Sequence, residues 1–326
     1  MILAGDVGGT KTVLAVLDPA KAMSIVREAT LPSREIESLE SAVEAFLLGA
    51  PRLKVSAACV GVAGPVVDGR CVATNLPWEV HERRLAAAAG VPARLVNDLE
   101  AAAHGVLVLP AERFLVLQAG MPNPGGNMAL IAAGTGLGQA CMIPDGQGYR
   151  VVPSEGGHAD FAARDELQVD LLRFLGTEFG HVSWERVLSG PGLANIYRFL
   201  QTRAGHAAPD WLRERLQRED HGAVVGEVGL SGRDPVCAEA LDVFVSIYGA
   251  QAGNLALETL ALGGLVVGGG IAPKIRAKLS DGRFMAAFRA KGRLDSLLSS
   301  VPVRVALDPR APLWGAARLA TLMETT

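Results

Sequence analysis

Cysteine is scarce in this chain of 326 residues. Its four cysteines, Cys59, Cys71, Cys141 and Cys237, include no pair at Cys-x-x-Cys spacing, so neither a zinc knuckle nor a redox dithiol is expected. Blocks of like charge are missing too. Lys and Arg number 31, Asp and Glu 34, and the formal net charge is −3. That balance argues against a nucleic-acid partner, which would call for a basic stripe, and against a charged interaction tail. Long hydrophobic runs are also absent. The longest, Thr259–Pro273, is full of glycine and ends in proline, whereas a membrane span needs roughly 20 apolar residues. A buried strand and turn is expected there, and no membrane partner. No charged leader precedes the strand-like run Ile2–Ala4, so a reducing, cytoplasmic compartment is the expectation.

What is abundant is apolar residues, at 49%, and glycine, at 38 residues. The length suggests about two domains. Strand patterns at Leu3–Val7, Thr12–Leu17 and Ser24–Thr30 flank the glycine turn of Asp6-Val7-Gly8-Gly9-Thr10. A strand, a tight glycine turn and a second strand make a hairpin; a P-loop or dinucleotide fold would enter a helix at that point. Helical spacing follows at Glu37–Leu48, a buried strand at Val55–Val62, a short helix at Leu85–Ala89, and a strand at Arg94–Val96 that ends on Asn97-Asp98. The pattern then begins again. Strands at Phe114–Gln118 and Met128–Ala133 lead into Gly134-Thr135-Gly136-Leu137-Gly138, and a strand returns at Gln139–Ile143. This reads as an internal duplication. Helices are expected at Glu166–Phe174, Pro191–Leu200, Pro235–Leu260 and Leu313–Met323, with strands at Leu265–Val267 and Val301–Val305. The polar stretch His206–Ser231 reads as a surface insertion. Alternating strands and helices predict α/β domains, whose ligands sit beyond the C-terminal ends of strands. Asn97-Asp98, Gly134–Gly138 and Gly268–Gly270 all fall at such ends.

Five groups of residues carry possible chemistry, each with a plainer alternative. Gly8 and Gly9 let the backbone approach a phosphate, Thr10 offers a hydroxyl, and Asp6 can hold magnesium through water; the alternative is an ordinary hairpin turn, and Lys11 is assigned no role. Gly134–Gly138 mirrors that turn, the alternative being a bulged hairpin. Asn97-Asp98 suits a polyol: the carboxylate accepts the proton of an attacking hydroxyl and the amide bridges neighbouring hydroxyls. By itself it suits a helix N-cap better. Glu155 and His158 face one small ligand across Gly156-Gly157, with a structural loop or, lacking a clear third ligand, a metal pair as alternatives. Gly268-Gly269-Gly270 leaves room for a flat base or ribose, or else joins a strand to a helix opened by Pro273.

The order of these elements resembles the sugar kinase, actin and heat-shock ATPase superfamily, and more closely the bacterial glucokinases distinct from the repressor-related branch. The residues that carry it are Gly5–Thr10, Val96-Asn97-Asp98, Gly134–Gly138, Glu155–Phe161, Gly180–Ser183, Glu185–Gly192 and Gly268–Ile271. The run Ser189-Gly190-Pro191-Gly192 is the most specific of them. The resemblance implies an actin-like, ribonuclease H-like α/β fold with a duplicated mixed sheet and an interdomain cleft. Its domains would be residues 1–108 completed by 306–326, and residues 109–305. It implies ATP-dependent phosphorylation of the 6-hydroxyl of glucose, with ATP and Mg2+ required; a homodimer is expected separately, because most soluble oligomers are symmetric and twofold. Asp98 is similar to the family's catalytic base. Asn75, Asn97, Glu155, His158 and Glu185 look like its sugar contacts. Asp6, Gly8, Gly9 and Thr10 look like the first phosphate loop, Thr135 and Gly136 like the second, and Gly268, Gly269 and Gly270 like the adenosine loop. Gly64-Pro65 departs from members that carry a cysteine before the proline. The cysteine cluster of the repressor-related branch is absent, and no DNA-binding helix pair precedes residue 3. The alternatives are a kinase for mannose, glucosamine or N-acetylglucosamine, a non-catalytic sugar sensor, or an actin-like filament former.

Overall fold

The computed structural model describes every residue except Ala22, Thr74, Asn75, His206, Thr325 and Thr326. Two compact units divide the chain, residues 1–111 with 308–326, and residues 112–307.

The first unit opens with β1 (Ile2–Val7), β2 (Lys11–Asp18) and β3 (Ser24–Pro32), an antiparallel meander. Helix α1 (Leu39–Leu48) leads to β4 (Ala57–Val62). Three short strands, β5 (Val66–Val67), β6 (Arg70–Val72) and β7 (Glu79–His81), form a small sheet of their own. Helix α2 (Glu82–Ala89) stops at Gly90, in the left-handed region at φ 68°, where glycine pays no side-chain penalty. It is followed by β8 (Ala93–Asn97) and α3 (Asp98–Val106). The main sheet runs β3-β2-β1-β4-β8, with β4 parallel to both β1 and β8. Both faces are covered, which is why Ile2–Ala4 of β1 and the whole of β4 read as apolar runs and not as alternation. Leu3 and Val7 face one core with Leu39, Val43 and Leu85. Ile2 and Ala4 face another with Leu313, Ala316 and Ala320, from the last helix of the chain.

The second unit contains β9 (Phe114–Gln118), β10 (Met128–Ala133), β11 (Leu137–Pro144), β12 (Tyr149–Ser154), α4 (Glu166–Phe179), α5 (Gly190–Ala204), α6 (Asp210–Arg218), α7 (His221–Ser231), α8 (Pro235–Glu258), β13 (Gly264–Gly268), α9 (Arg276–Leu279), α10 (Arg283–Arg289), α11 (Asp295–Ser300) and β14 (Val303–Ala306). The closing helix, α12 (Ala311–Met323), returns to the first unit. The second sheet runs β12-β11-β10-β13-β14-β9. Its first five strands repeat the first unit's order and sense: an antiparallel meander, then two parallel additions. The duplication read from the two glycine hairpins is therefore a duplication of topology.

Two expectations are corrected. The segment expected as a surface insertion contains α7, whose Val224, Val225 and Val228 are buried in the large core against α5 and α8. Its polar flanks and three glycines hide the apolar stripe, and two of those glycines are required by close helix approach: a Cβ on Gly222 would come 2.3 Å from the Gly190 carbonyl oxygen, and one on Gly229 2.6 Å from that of Cys237. Pro273 does not open a helix; irregular turns continue to α9 at Arg276.

Candidate active site

In the first unit, the β1–β2 turn is closed by a hydrogen bond from the Gly8 amide to the Lys11 carbonyl, 3.0 Å. Ser33, just beyond β3, clamps it. Its hydroxyl donates to the Gly8 carbonyl at 2.7 Å and lies 2.9 Å from the Thr12 hydroxyl, while its amide donates to the Thr10 carbonyl at 3.0 Å. Thr10 is left exposed. Ser33 was not singled out from the sequence, because a lone serine after a strand carries no pattern.

Asn97 and Asp98 stand where β8 passes into α3. Asn97 is the N-cap through its side chain: Oδ1 accepts from the Leu99 and Glu100 amides at 2.9 and 3.4 Å. Its Nδ2 donates to the Gly64 carbonyl at 2.9 Å. Gly64 has φ 144°, a region that favours glycine, so the departure at Gly64-Pro65 carries a backbone carbonyl turned toward Asn97. Asp98 begins the helix, and its Oδ1 accepts from the Leu99 amide at 2.9 Å. The cap alternative is thus realised by Asn97, leaving Asp98 as the residue beside Asp6. Gly61 makes that approach possible. It pairs with Asp6 across β1 and β4, and a Cβ on it would meet the Ala101 Cβ at 2.9 Å and the Asp98 Cα at 3.6 Å. Burial first, and the Asp98 charge second, push the Asp6 carboxyl up from 3.8 to about 6, against the opposing pull of Lys11.

In the second unit, three sequence groups converge on the ends of β10 and β13. The Gly134 carbonyl accepts from the Gly190 amide at 2.8 Å, and the Ala133 carbonyl from the Ile271 amide at 3.2 Å. Gly269, at φ 81°, lies so close that a Cβ would come 2.2 Å from the Ala133 carbonyl oxygen. On the outer side there is room. A Cβ on Gly270 would meet nothing within 4 Å, and one on Gly134 only the Gly270 amide nitrogen at 4.0 Å. Beneath them Tyr248, wholly buried in α8, braces both strands: its hydroxyl accepts from the Ala133 amide at 3.2 Å and lies 3.4 Å from the Ile131 and Gly268 carbonyls. Burial raises its phenol well above the usual value. A tyrosine inside a long apolar helix reads as core, so this brace was missed.

The first residues of β11 gather the remaining candidates. Glu185, on the 3-10 turn Trp184–Arg186, accepts from the Leu137 amide through Oε2 at 3.0 Å. The 3-10 turn Gly156–His158 sits directly on β11: a Cβ on Gly157 would come 2.0 Å from the Leu137 carbonyl oxygen, and one on Gly156 2.6 Å from the Gln139 Oε1. Glu155 and His158 stand at its ends, 4.0 Å apart through Oε2 and Nε2, with side chains 75% and 62% exposed. Two further bonds pin this turn to the Glu185 segment, Phe161 amide to Val182 carbonyl and Trp184 amide to Ala159 carbonyl, both 2.9 Å. Ser189 ties the same segment to α5 by donating to the Glu185 carbonyl at 2.7 Å and capping the Gly192 amide at 3.0 Å. Asn75, the remaining candidate, lies outside the described residues.

The residues fit nucleotide and magnesium chemistry. Gly134 and Gly270 leave open backbone for phosphate or ribose. The Asp6 and Asp98 carboxylates interact, and magnesium takes one or two carboxylates and keeps its waters, so this pair suits it.

The glucokinase family model matches residues 3–323. The glucokinase of Synechocystis sp. is 42% identical over 346 aligned positions, covering 97% of this chain and 96% of that protein. The crystal structure of a glucokinase from an Antarctic psychrotroph aligns with a TM-score of 0.85 at 34% identity, covering 98% of each chain. A repressor-related (ROK) family glucokinase from Streptomyces griseus, solved with glucose and AMPPNP, aligns with a TM-score of 0.67 at 23% identity, over 98% of this chain and 99% of that one; it shares the actin-like ATPase fold. By family match and by identity over nearly its whole length, the chain belongs to the glucokinase family.

Proposed function

We propose that this sugar kinase transfers the γ-phosphoryl group of ATP to the 6-hydroxyl of glucose, with Asp98 as general base. The observation that supports the reading is the seating of two kinds of group at neighbouring strand ends of one sheet, the ends of β10 and β13 and the start of β11. The open glycine backbone at Gly134 and Gly270 suits phosphate, and the carboxylates and imidazole of Glu155, His158 and Glu185, set around Leu137, suit sugar hydroxyls. The glucose and the ATP analogue bound by the S. griseus relative lend support to both ligands.

Phosphoryl transfer asks a protein chiefly for positioning and charge stabilisation. Glu155, His158 and Glu185 accept and donate hydrogen bonds to the ring hydroxyls. Asn97 uses its side-chain oxygen for the helix cap, so its part toward sugar falls to the amide, which also holds Gly64. Asp98 accepts the 6-hydroxyl proton as that oxygen bonds to the γ-phosphorus and the bond to the ADP oxygen breaks. The Gly8–Thr10 and Thr135–Gly136 backbone stabilises charge on the phosphate oxygens, and Gly268–Gly270 accommodates the adenosine. Asp6 would hold magnesium, which when bound would supply positive charge to the phosphates.

A coupled ADP-release assay across glucose, mannose, glucosamine and N-acetylglucosamine tests the substrate, with glucose expected to give the highest kcat/KM. Asp98→Ala is expected to retain glucose binding by calorimetry while kcat falls by about 10²–10⁴-fold, the usual worth of a general base. Near-wild-type turnover would refute the base assignment.

A further inference from the structure

Gln139 is a polar residue in an apolar place. It is 2% exposed on β11, opposite Ile131 of β10 and Ser154 of β12. Its Nε2 is buried without a hydrogen-bond partner. Buried polar atoms are paired in the great majority of cases, and an orphaned donor is destabilising. A valine or leucine would fill a strand position of this kind without that cost.

What lies over Gln139 gives the amide a purpose. Its Oε1 is so close to Gly156 that a Cβ there would approach to 2.6 Å, and the Gly156 amide donates to the Ser154 hydroxyl at 2.9 Å. Gln139 is therefore the floor of the turn whose ends carry Glu155 and His158. The turn's own bonds, His158 amide to Glu155 carbonyl at 2.9 Å and Ala159 amide to Gly156 carbonyl at 3.2 Å, leave the Nε2 hydrogens unused.

We infer that Gln139 is a positioning residue for the sugar, its spare N–H being taken up by an oxygen acceptor that the Glu155–His158 turn delivers when a hexose is bound. The inference rests on the sugar-kinase reading of this turn. It separates the two substrates: Gln139 acts on the hexose turn, whereas the strand ends that carry Gly134 and Gly268, proposed for nucleotide, are braced by Tyr248.

Gln139→Met keeps the length of the side chain and removes the N–H. Its glucose KM is expected to rise about 3–10-fold, the worth of one hydrogen bond, with kcat and the ATP KM within about twofold of wild type and with thermal stability unchanged or higher because an orphan has gone. An unchanged glucose KM overturns the inference, as does a parallel loss of kcat, both KM values and melting temperature, which would mark plain structural support. Should the variant fail to fold, the wild-type Gln139 side-chain amide can be followed by NMR: its resonances are expected to shift on adding glucose and to stay put on adding ADP, and insensitivity to glucose overturns the proposal. A wild type that phosphorylates no hexose overturns the sugar-kinase reading and this inference together, whereas an active wild type indistinguishable from Gln139→Met overturns the inference alone.

Discussion

At the scale of single residues, Asp6 carries the clearest tension between stability and use. Its carboxyl is raised from 3.8 to about 6 by burial and then by the Asp98 charge. A carboxyl raised on folding opposes the folded state wherever it is ionised. The opposition is complete above about pH 6, shrinks as pH falls, and is gone below the unfolded value of 3.8. Asp6→Asn is accordingly expected to raise stability by about 1–3 kcal/mol at pH 8 in metal-free buffer, at 1.36 kcal/mol per pKa unit, and to give no gain below about pH 4. Denaturant melts at the two pH values measure this. The same variant is expected to lose most kinase turnover, since it removes the carboxylate proposed for magnesium. Groups destabilised in this way recur at functional sites. Asp6 could be picked from the sequence because it precedes Gly8-Gly9; its elevated proton affinity could not, because Asp98 reaches it only across Gly61 on a neighbouring strand.

At the scale of elements, the strands and their glycine turns were legible because local sequence dictates them. A run such as Leu3–Val7 has to be extended and buried, and glycines have to stand where backbone meets backbone. Helix α7 was illegible for the opposite reason. Its glycines lower helix propensity, yet tertiary packing needs them, so a composition that reads as surface loop lies in the core with Val225 fully buried. Val225→Asp distinguishes the two settings. On a surface insertion it would be silent; in the core it buries an unpaired carboxylate and is expected to cost at least about 3 kcal/mol, visible as a lowered melting temperature. The hinge of β8 into α3 was half legible. Asn97-Asp98 announced a cap and a base as competing readings, and the geometry gives the cap to Asn97 and the place beside Asp6 to Asp98.

At the scale of the molecule, the chain leaves its first unit at residue 111 and comes back at residue 308. Helix α12 then covers one face of the first sheet, with Leu313, Ala316, Ala317, Leu319 and Ala320 buried against Ile2, Ala4 and Ala57. It packs so closely on α3 that a Cβ on Gly315 would come 1.7 Å from the Ala101 carbonyl oxygen. Removing residues 308–326 is therefore expected to unfold the first unit, whose sheet would expose an apolar face, while the continuous segment 112–307 keeps its core. Limited proteolysis should degrade residues 1–111 in the truncated protein and leave a resistant fragment beginning near residue 112; a protease-stable first unit without α12 would refute this.

The sequence by itself determined the α/β class, the repeated glycine hairpin and the family, and offered the candidate site residues, because periodicity, glycine turns and short motifs are local properties of the chain. Tertiary structure alone decided which of those residues share a neighbourhood. It put Gly134, Gly190 and Gly269 at one strand end, Glu185 on the Leu137 amide, Tyr248 beneath both strands and Gln139 under the Glu155–His158 turn. These approaches join residues from just under twenty to more than a hundred positions apart. They depend on strand order and on the absence of Cβ atoms at a few glycines, which no local pattern reports.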